Sequence, residues 1–151
     1  MAVLFLDSSA VVKQYIFEQG SNRVRAAVDP TAGNELFISA VTGAEVVAGI
    51  VRRRRLGDID RNAANLAIQE FIDDWQTLYN HLAIEGSLIE RAMALAQMHE
   101  LRGYDAVQLA SAFLLNDRYR SLSLPITVVS ADKELNAAAI AEGLLVDDPN
   151  S

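Results

Sequence analysis

Four acidic residues stand at positions where an α/β protein could carry out chemistry: Asp7, Glu45, Asp105 and Asp132. Asp7 directly follows an apolar run, and Asp132 follows a second such run after a two-residue link. Sites in open α/β sheets form outside the carboxyl ends of the strands, where the chain enters the next helix. Carboxylates at that edge can bind a cation or accept a proton, so these side chains are candidates for a catalytic site.

Each acid also has an ordinary structural interpretation. Asp7 and Asp132 precede expected helices, where aspartate is a preferred N-cap. Asp105 opens an expected helix, where a negative charge interacts favourably with the helix dipole. Glu45 lies on a helix face with small and apolar neighbours, and a glutamate on such a face more often reaches solvent than binds a ligand. Residue type alone leaves both interpretations open at every position.

Apolar runs alternate with helical patterns along the chain. Runs rich in strand formers predict strands at Val3–Leu6, Leu36–Ile38, Leu82–Ile84, Ile126–Val129 and Leu144–Val146. Helical patterns predict helices at Ala10–Phe17, Ala40–Arg55, Ser87–Met98, Tyr104–Asn116 and Asp132–Glu142. Strands that alternate with helices predict a mostly parallel sheet with helices on both sides.

The middle of the chain is predicted to form an αα-hairpin. Gly57 follows an arginine-rich turn, which is typical of a helix end, and Asp60 is well placed to cap the next helix. That helix carries one apolar stripe, formed by Ala64, Ile68, Phe71, Trp75 and Leu78. The last residues, Asp147–Ser151, are predicted to be a frayed end.

Composition excludes several classes of protein. The 151 residues suit a single domain, expected to cover residues 1–151. The lack of cysteine excludes disulfides, thiolate catalysis and thiolate zinc sites. Because the sequence shows no membrane span and no export signal, we expect a cytoplasmic protein with no membrane partner. His81 and His99 lack metal-ligand spacing, and both are interpreted as ordinary solvated or half-buried side chains.

Several short strings, taken in order, resemble the successive motifs of PIN-domain ribonucleases, and best those of VapC-type toxins of toxin–antitoxin pairs. The strings are FLDSSA at residues 5–10, IS at 38–39 leading to Glu45, LRGYDA at 101–106 with LA at 109–110, and VSAD at 129–132 with Leu135. The string from Leu101 to Ala110 is the most specific. The resemblance covers essentially the whole chain, including AEGL at 141–144 and the final Asp-Pro pair.

The resemblance implies a three-layer α/β/α sandwich with a mostly parallel central sheet, and a metal-dependent endoribonuclease. It assigns metal binding and catalysis to the four acids named above, with Ser8 and Ser130 as hydroxyl helpers. Family members often carry threonine where this chain has Ser130, which keeps the hydroxyl. An all-oxygen ligand set suits Mg²⁺ or Mn²⁺ rather than zinc, and either one or two ions could bind. The implied partners are an RNA substrate, a VapB-type antitoxin and a second copy in a homodimer.

The net charge of −7 is the reverse of the usual footprint of nucleic-acid-binding proteins, so an RNA substrate would need a local basic surface. The run Arg52–Arg55 supplies one. Arg52 lies seven positions after Glu45 and shares its helix face, so it is the candidate for holding an RNA phosphate. Arg53–Arg55 fit equally well a solvated helix end whose cations interact with the C-terminal dipole.

Other functions fit parts of the pattern. A receiver-like phospho-acceptor domain also gathers aspartates around Mg²⁺, but it has an acidic pair after its first strand and a lysine after its last. Here Asp7 is followed by two serines, and Asp132 occupies the later strand end. The serines also argue against an aspartate-nucleophile phosphatase, which has Asp-x-Asp. A non-catalytic binding module on the PIN fold is a further alternative, against which four intact acids argue.

Overall fold

The computed structural model describes residues 1–151 and has a five-stranded parallel sheet at its centre. The strands are β1 (Val3–Leu6), β2 (Glu35–Ser39), β3 (Asn80–Leu82), β4 (Ile126–Val129) and β5 (Leu145–Asp147). Their order across the sheet is β3-β2-β1-β4-β5, and every neighbouring pair is parallel. The order reverses between β1 and β4, which is where open α/β sheets form their ligand crevices.

Seven α-helices connect the strands. They are α1 (Ser8–Tyr15), α2 (Ser21–Val28), α3 (Thr42–Arg55), α4 (Arg61–Thr77), α5 (Gly86–His99), α6 (Gly103–Arg120) and α7 (Lys133–Ala141). A short 3₁₀ helix, Pro30–Ala32, precedes β2. None of the helices combines the length and the apolar character needed to span a bilayer.

Two apolar cores lie on opposite faces of the sheet. Side chains alternate along β1, so Val3 and Phe5 pack in one core with α5, α6 and α7. Leu4 and Leu6 pack in the other core with α1, α2, α3 and α4. All four residues of β1 are buried, as expected for a central parallel strand. The predicted three-layer α/β/α sandwich is confirmed, with a sheet that is parallel throughout.

The αα-hairpin forms between α3 and α4 as predicted. Gly57 follows α3 with a φ of 82°, a left-handed backbone conformation that glycine adopts without strain. The side chain of Asp60 accepts a hydrogen bond from the backbone N of Ala63 at 2.7 Å and so caps α4. Ala64 and Phe71 of the predicted stripe are buried in the core that α4 shares with α1 and α3.

One strand is shifted from its predicted position, and one helix was not predicted. The third strand was expected at Leu82–Ile84, but β3 occupies Asn80–Leu82. It lies at the edge of the sheet with Asn80 and His81 exposed, so its residues carry little apolar signal. Helix α2 was not predicted, because it is short and buries only one narrow side. The other helices and strands lie within a few residues of their expected bounds.

The carboxyl terminus is not frayed, contrary to prediction. Asp147 belongs to β5 and pairs with Val129 of β4. Arg23 of α2 donates hydrogen bonds to the carbonyl oxygens of Asp148 at 3.0 Å and Ser151 at 2.8 Å. Helix α2, which was not predicted, therefore supplies the arginine that orders the tail. The composition of the tail alone could not indicate this contact.

Candidate metal centre and cleft

Asp7 lies at the carboxyl end of β1 and caps α1. Its Oδ1 accepts hydrogen bonds from the backbone N of Ala10 at 3.0 Å and from the hydroxyl of Ser9 at 2.6 Å. Its Oδ2 accepts one from the hydroxyl of Ser130 at 2.8 Å. The residue is only 3% exposed, and this burial raises the pKa of Asp7 to about 6 although the three hydrogen bonds lower it. Asp7 is therefore both a helix cap and a buried titratable acid.

Ser130 connects the turn after β4 to the turn after β1. Its hydroxyl donates to Asp7 and accepts a hydrogen bond from the backbone N of Asp132 at 3.1 Å. Next to it, the backbone N of Ala131 donates to the hydroxyl of Ser9 at 2.9 Å. The bonds from Ser130 to Asp7 and from Ala131 to Ser9 hold the two turns together across the point where the strand order reverses.

Asp132 caps α7 with one carboxylate oxygen and faces Arg102 with the other. Its Oδ1 accepts hydrogen bonds from the backbone N of Glu134 at 2.9 Å and of Leu135 at 3.0 Å. Its Oδ2 lies 3.8 Å from Nη2 of Arg102. Arg102 also donates from Nε to Oδ2 of Asp105 at 3.3 Å. One exposed guanidinium thus lies beside two of the predicted acids.

Glu45 and Asp105 lie in the first turns of α3 and α6. Glu45 Oε1 accepts a hydrogen bond from Nε2 of Gln108 at 2.8 Å. Partial burial is the main reason that the pKa of each carboxyl is raised. Repulsion adds to it, because Asp105 raises the pKa of Glu45 and Asp132 raises that of Asp105. Arg102 acts in the opposite direction and lowers the pKa of Asp105.

Three of the four acids line one open cleft of about 540 Å³. Asp7 does not line it, but its hydrogen-bond partner Ser9 does, so Asp7 lies behind the cleft wall. The polar lining residues are Ser8, Ser9, Glu45, Arg52, Arg53, Asp58, Arg102, Tyr104, Asp105 and Asp132. The cleft therefore combines acidic and basic side chains and has few hydrophobic residues in its lining.

The auxiliary residues expected from the sequence also lie at this edge of the sheet. Ser8 lines the cleft together with Glu45, and its hydroxyl lowers the pKa of that carboxyl. Ser130 is fully buried and acts on Asp7 rather than on the cleft. Arg52 is exposed and lines the cleft, so its position agrees with the proposed phosphate contact.

Other contacts in the cleft differ from the sequence expectation or were missing from it. Arg53 was interpreted as part of a solvated helix end, but its Nη2 donates to Glu18 Oε2 at 2.7 Å. Ser9, Arg102 and Gln108 contact the acids and were not predicted. Ser9 and Arg102 stand next to the motif acids in sequence. The only signal for Gln108 was its spacing of three residues from Asp105, which places both on one helix face.

The two histidines lie outside the cleft, and, as expected, they are solvated or half-buried. The exposed ring of His81 stacks on Trp75 with 3.8 Å between the ring centroids. Nε2 of the half-buried His99 lies 2.8 Å from Oε1 of Glu142.

The residues of the cleft suit a hard divalent cation in their chemistry. Every candidate ligand atom is a carboxylate or hydroxyl oxygen, which Mg²⁺ and Mn²⁺ prefer. No three acidic or histidine side chains in the protein are already arranged as a ligand set. Mg²⁺ does not require such a set, because proteins usually bind it through one or two carboxylates while it keeps several waters. Mutual repulsion among the acids is a further feature that a cation would relieve.

Comparisons with known proteins indicate one family. The PIN-domain family profile matches residues 4–141. The chain is 30% identical over 147 residues to Ribonuclease VapC45 and to Ribonuclease VapC49, both from Mycobacterium tuberculosis, and the match covers 97% of this chain and 95% of each relative.

Solved structures are similar to this chain in fold. PAE2754 from Pyrobaculum aerophilum superposes with a TM-score of 0.63 at 21% identity, covering 97% of this chain and 92% of the other. A chain of VapBC2 from Rickettsia felis, bound to a DNA fragment from its promoter, gives a TM-score of 0.62 at 12% identity, covering 96% and 97%. At these identities the likeness supports the fold alone.

Asp7 is expected to make stability depend on pH when no metal is bound. Its pKa of about 6 lies above the ordinary value of 3.8, so the folded state favours the protonated carboxyl and is destabilised by the ionised one. Relative to Asp7→Asn in EDTA, the wild type should therefore gain free energy of unfolding as the pH falls from above 6 towards 4, by up to about 3 kcal/mol. Denaturant titrations of both proteins across this range measure the difference. Parallel pH profiles would show that Asp7 does not carry the raised pKa.

Proposed function

Because the chain belongs to the PIN-domain family, we propose that it is a metal-dependent endoribonuclease and the toxin of a toxin–antitoxin pair. Residues 1–151 would act as a single domain, with Mg²⁺ or Mn²⁺ as cofactor. The observation that carries the proposal is the gathering of four acids where β1 and β4 end, with arginines on the walls of the same cleft. An RNA substrate is supported by the two ribonucleases that are 30% identical over almost the whole chain.

The four acids would have different roles in the site. Glu45, Asp105 and Asp132 line the cleft and would hold the cation, and Asp7 would support it from behind the wall. When bound, the cation would supply Lewis-acid polarisation of the scissile phosphate and neutralise charge that develops on it. A half-buried carboxyl with a raised pKa, such as that of Glu45 or Asp105, suits the role of accepting a proton from the attacking water.

Arginines on the cleft walls would bind the RNA backbone. Arg52 is exposed and Arg102 is 78% exposed, so both can turn towards a phosphate. Arg53 also lines the cleft, but its pairing with Glu18 offsets its charge. The proposed contact surface is therefore small, which fits a protein whose total charge is negative.

The proposed protein partner is a VapB-type antitoxin. The support is the likeness in fold to a chain of the VapBC2 complex, together with an acidic cleft that would attract a cationic side chain. Arginine from the antitoxin could pair with the cleft carboxylates and exclude both the cation and the RNA. Homodimer formation and a cytoplasmic location stay predictions.

Replacement of Asp105 by asparagine should abolish most RNA cleavage. The change removes a cleft carboxylate but keeps the shape of the side chain, and we expect a loss of at least about a hundredfold in rate. Asp117→Asn is the matched control, since Asp117 lies on the same helix but pairs with Arg91 outside the cleft. Cleavage is measured on purified protein with Mg²⁺ or Mn²⁺ and with EDTA. Equal activity in all samples would indicate a contaminating nuclease, whereas binding of RNA without cleavage by the wild type would favour a binding module.

Arg52→Ala should weaken RNA binding and flatten its dependence on salt. Loss of one phosphate contact reduces the slope of log affinity against log salt by about 0.7 for single-stranded RNA. Arg54→Ala is the control, because Arg54 belongs to the same turn but does not line the cleft. Both changes are made in the Asp105→Asn background so that the RNA stays intact during the titration. Equal effects at the two positions would show that the arginines act only as diffuse charge.

Binding of the antitoxin should depend on the cleft acids. We expect Asp105→Asn to weaken the complex by about 1.5–3 kcal/mol, the contribution of a hydrogen bond to a charged group, and Asp117→Asn to leave it unchanged. Calorimetry with a VapB-type antitoxin, sought as a small reading frame directly upstream of the one for this protein, measures the difference. A structure of the complex with no basic group near the four acids would rule out this mode of inhibition.

A further inference from the structure

Gln108 is a buried amide directly behind the cleft. It lies on α6, one turn after Asp105, and is only 1% exposed. Its Nε2 donates hydrogen bonds to Oε1 of Glu45 at 2.8 Å and to Oγ1 of Thr42 at 2.9 Å. Both acceptors belong to α3, so both hydrogen bonds that the side chain donates go to one helix.

The orientation of this amide is set by Glu45. An ionised carboxylate can only accept hydrogen bonds, so the NH₂ group of Gln108 must face it. The carbonyl Oε1 of Gln108 is consequently buried without a hydrogen-bond partner. An unpaired buried polar group costs about 1–3 kcal/mol, and an apolar residue would fill the same space without that cost. Packing alone does not explain a glutamine at this position.

Gln108 also connects two helices that belong to different layers. Val46 and Ile50 of α3 pack in one core, whereas Ala106 and Leu109 of α6 pack in the core on the other face of the sheet. The two hydrogen bonds of Gln108 are the only side-chain hydrogen bonds between α3 and α6. They fix the position of Glu45 relative to the helix that carries Asp105.

We propose that Gln108 is a positioning residue for the cation site, which holds the Glu45 carboxylate in register with Asp105 across the two layers. The inference rests on the proposed function, since it assumes that these acids bind a divalent cation. Gln108 does not line the cleft, so it acts through Glu45 and not by touching RNA. Loss of its donors would leave Glu45 free to change rotamer and would weaken binding of the cation.

The test is a titration of the purified protein with Mn²⁺, in which free Mn²⁺ is followed by electron paramagnetic resonance. Gln108→Met keeps the length of the side chain and removes both donors, and partners of this kind contribute about 10–100-fold to metal affinity. We expect a loss in that range. Ser111→Ala is the matched control, because Ser111 is buried on the same helix and bonds only to its own backbone at Val107. Its Mn²⁺ affinity should equal that of the wild type.

A double-mutant cycle separates positioning from a general structural effect. If Gln108 acts through Glu45, Gln108→Met should cause little further loss of Mn²⁺ affinity in a Glu45→Gln background. Additive losses would overturn the proposal. Thermal melts check the fold of each variant. Should Gln108→Met not fold, Thr42→Val removes the second anchor of the amide and should weaken Mn²⁺ binding by a smaller factor, whereas unchanged binding would overturn the proposal.

The outcomes distinguish this inference from the proposed function. A wild type that binds Mn²⁺ and an Asp105→Asn variant that does not would support the cation site. If Gln108→Met then binds Mn²⁺ as tightly as the wild type, the positioning role fails while the cation site stands. A wild type that binds no Mn²⁺ overturns both.

Discussion

The burial of carboxylates beside one another is the constraint on which the site depends. The acids lie close enough that the charge of Asp132 raises the pKa of Asp7 and of Asp105, and the charge of Asp105 raises that of Glu45. Helix dipoles offset part of the free-energy cost of holding these charges together. Each acid lies at the amino-terminal end of a helix, where the dipole favours negative charge. Four helices thus begin at one edge of the sheet, and the remaining repulsion is what a cation or a basic side chain would neutralise.

Two of the acids show that the structural and the functional interpretation are compatible. Asp132 caps α7 with Oδ1, which leaves Oδ2 directed towards Arg102. Asp7 caps α1, and both of its oxygens are engaged by hydrogen bonds. A cap needs a carboxylate fixed to the backbone, and a catalytic ligand needs the same rigidity. The helix caps therefore fix the position of these carboxylates, and capping does not conflict with the proposed role of either residue.

The sequence predicted those parts of the molecule that depend on local pattern. Buried strands next to β1 carry continuous apolar runs, and the acids follow the strand ends or open helices, so the sandwich and its acidic edge could be predicted. Contacts between distant segments could not. Two examples are the pairing of Arg23 with the tail and the bond from Gln108 to Glu45, since the local composition of each segment does not indicate its partner. A third is the edge strand β3, whose exposed residues carry little apolar signal.

The negative total charge is compatible with an RNA substrate because of the depth at which each charge lies. Asp7 is buried and the side chain of Asp105 is 16% exposed, whereas that of Arg102 is 78% exposed. A phosphate that approaches the cleft therefore meets the guanidinium groups of Arg52 and Arg102 before it meets the acids. Acidic residues elsewhere on the surface have little influence there, because physiological salt screens charges over about 8 Å. What decides the encounter is the order of charges from the rim to the floor of the cleft: Arg52 and Arg102 lie outside the four acids, although the exposed Asp58 shares the rim with them.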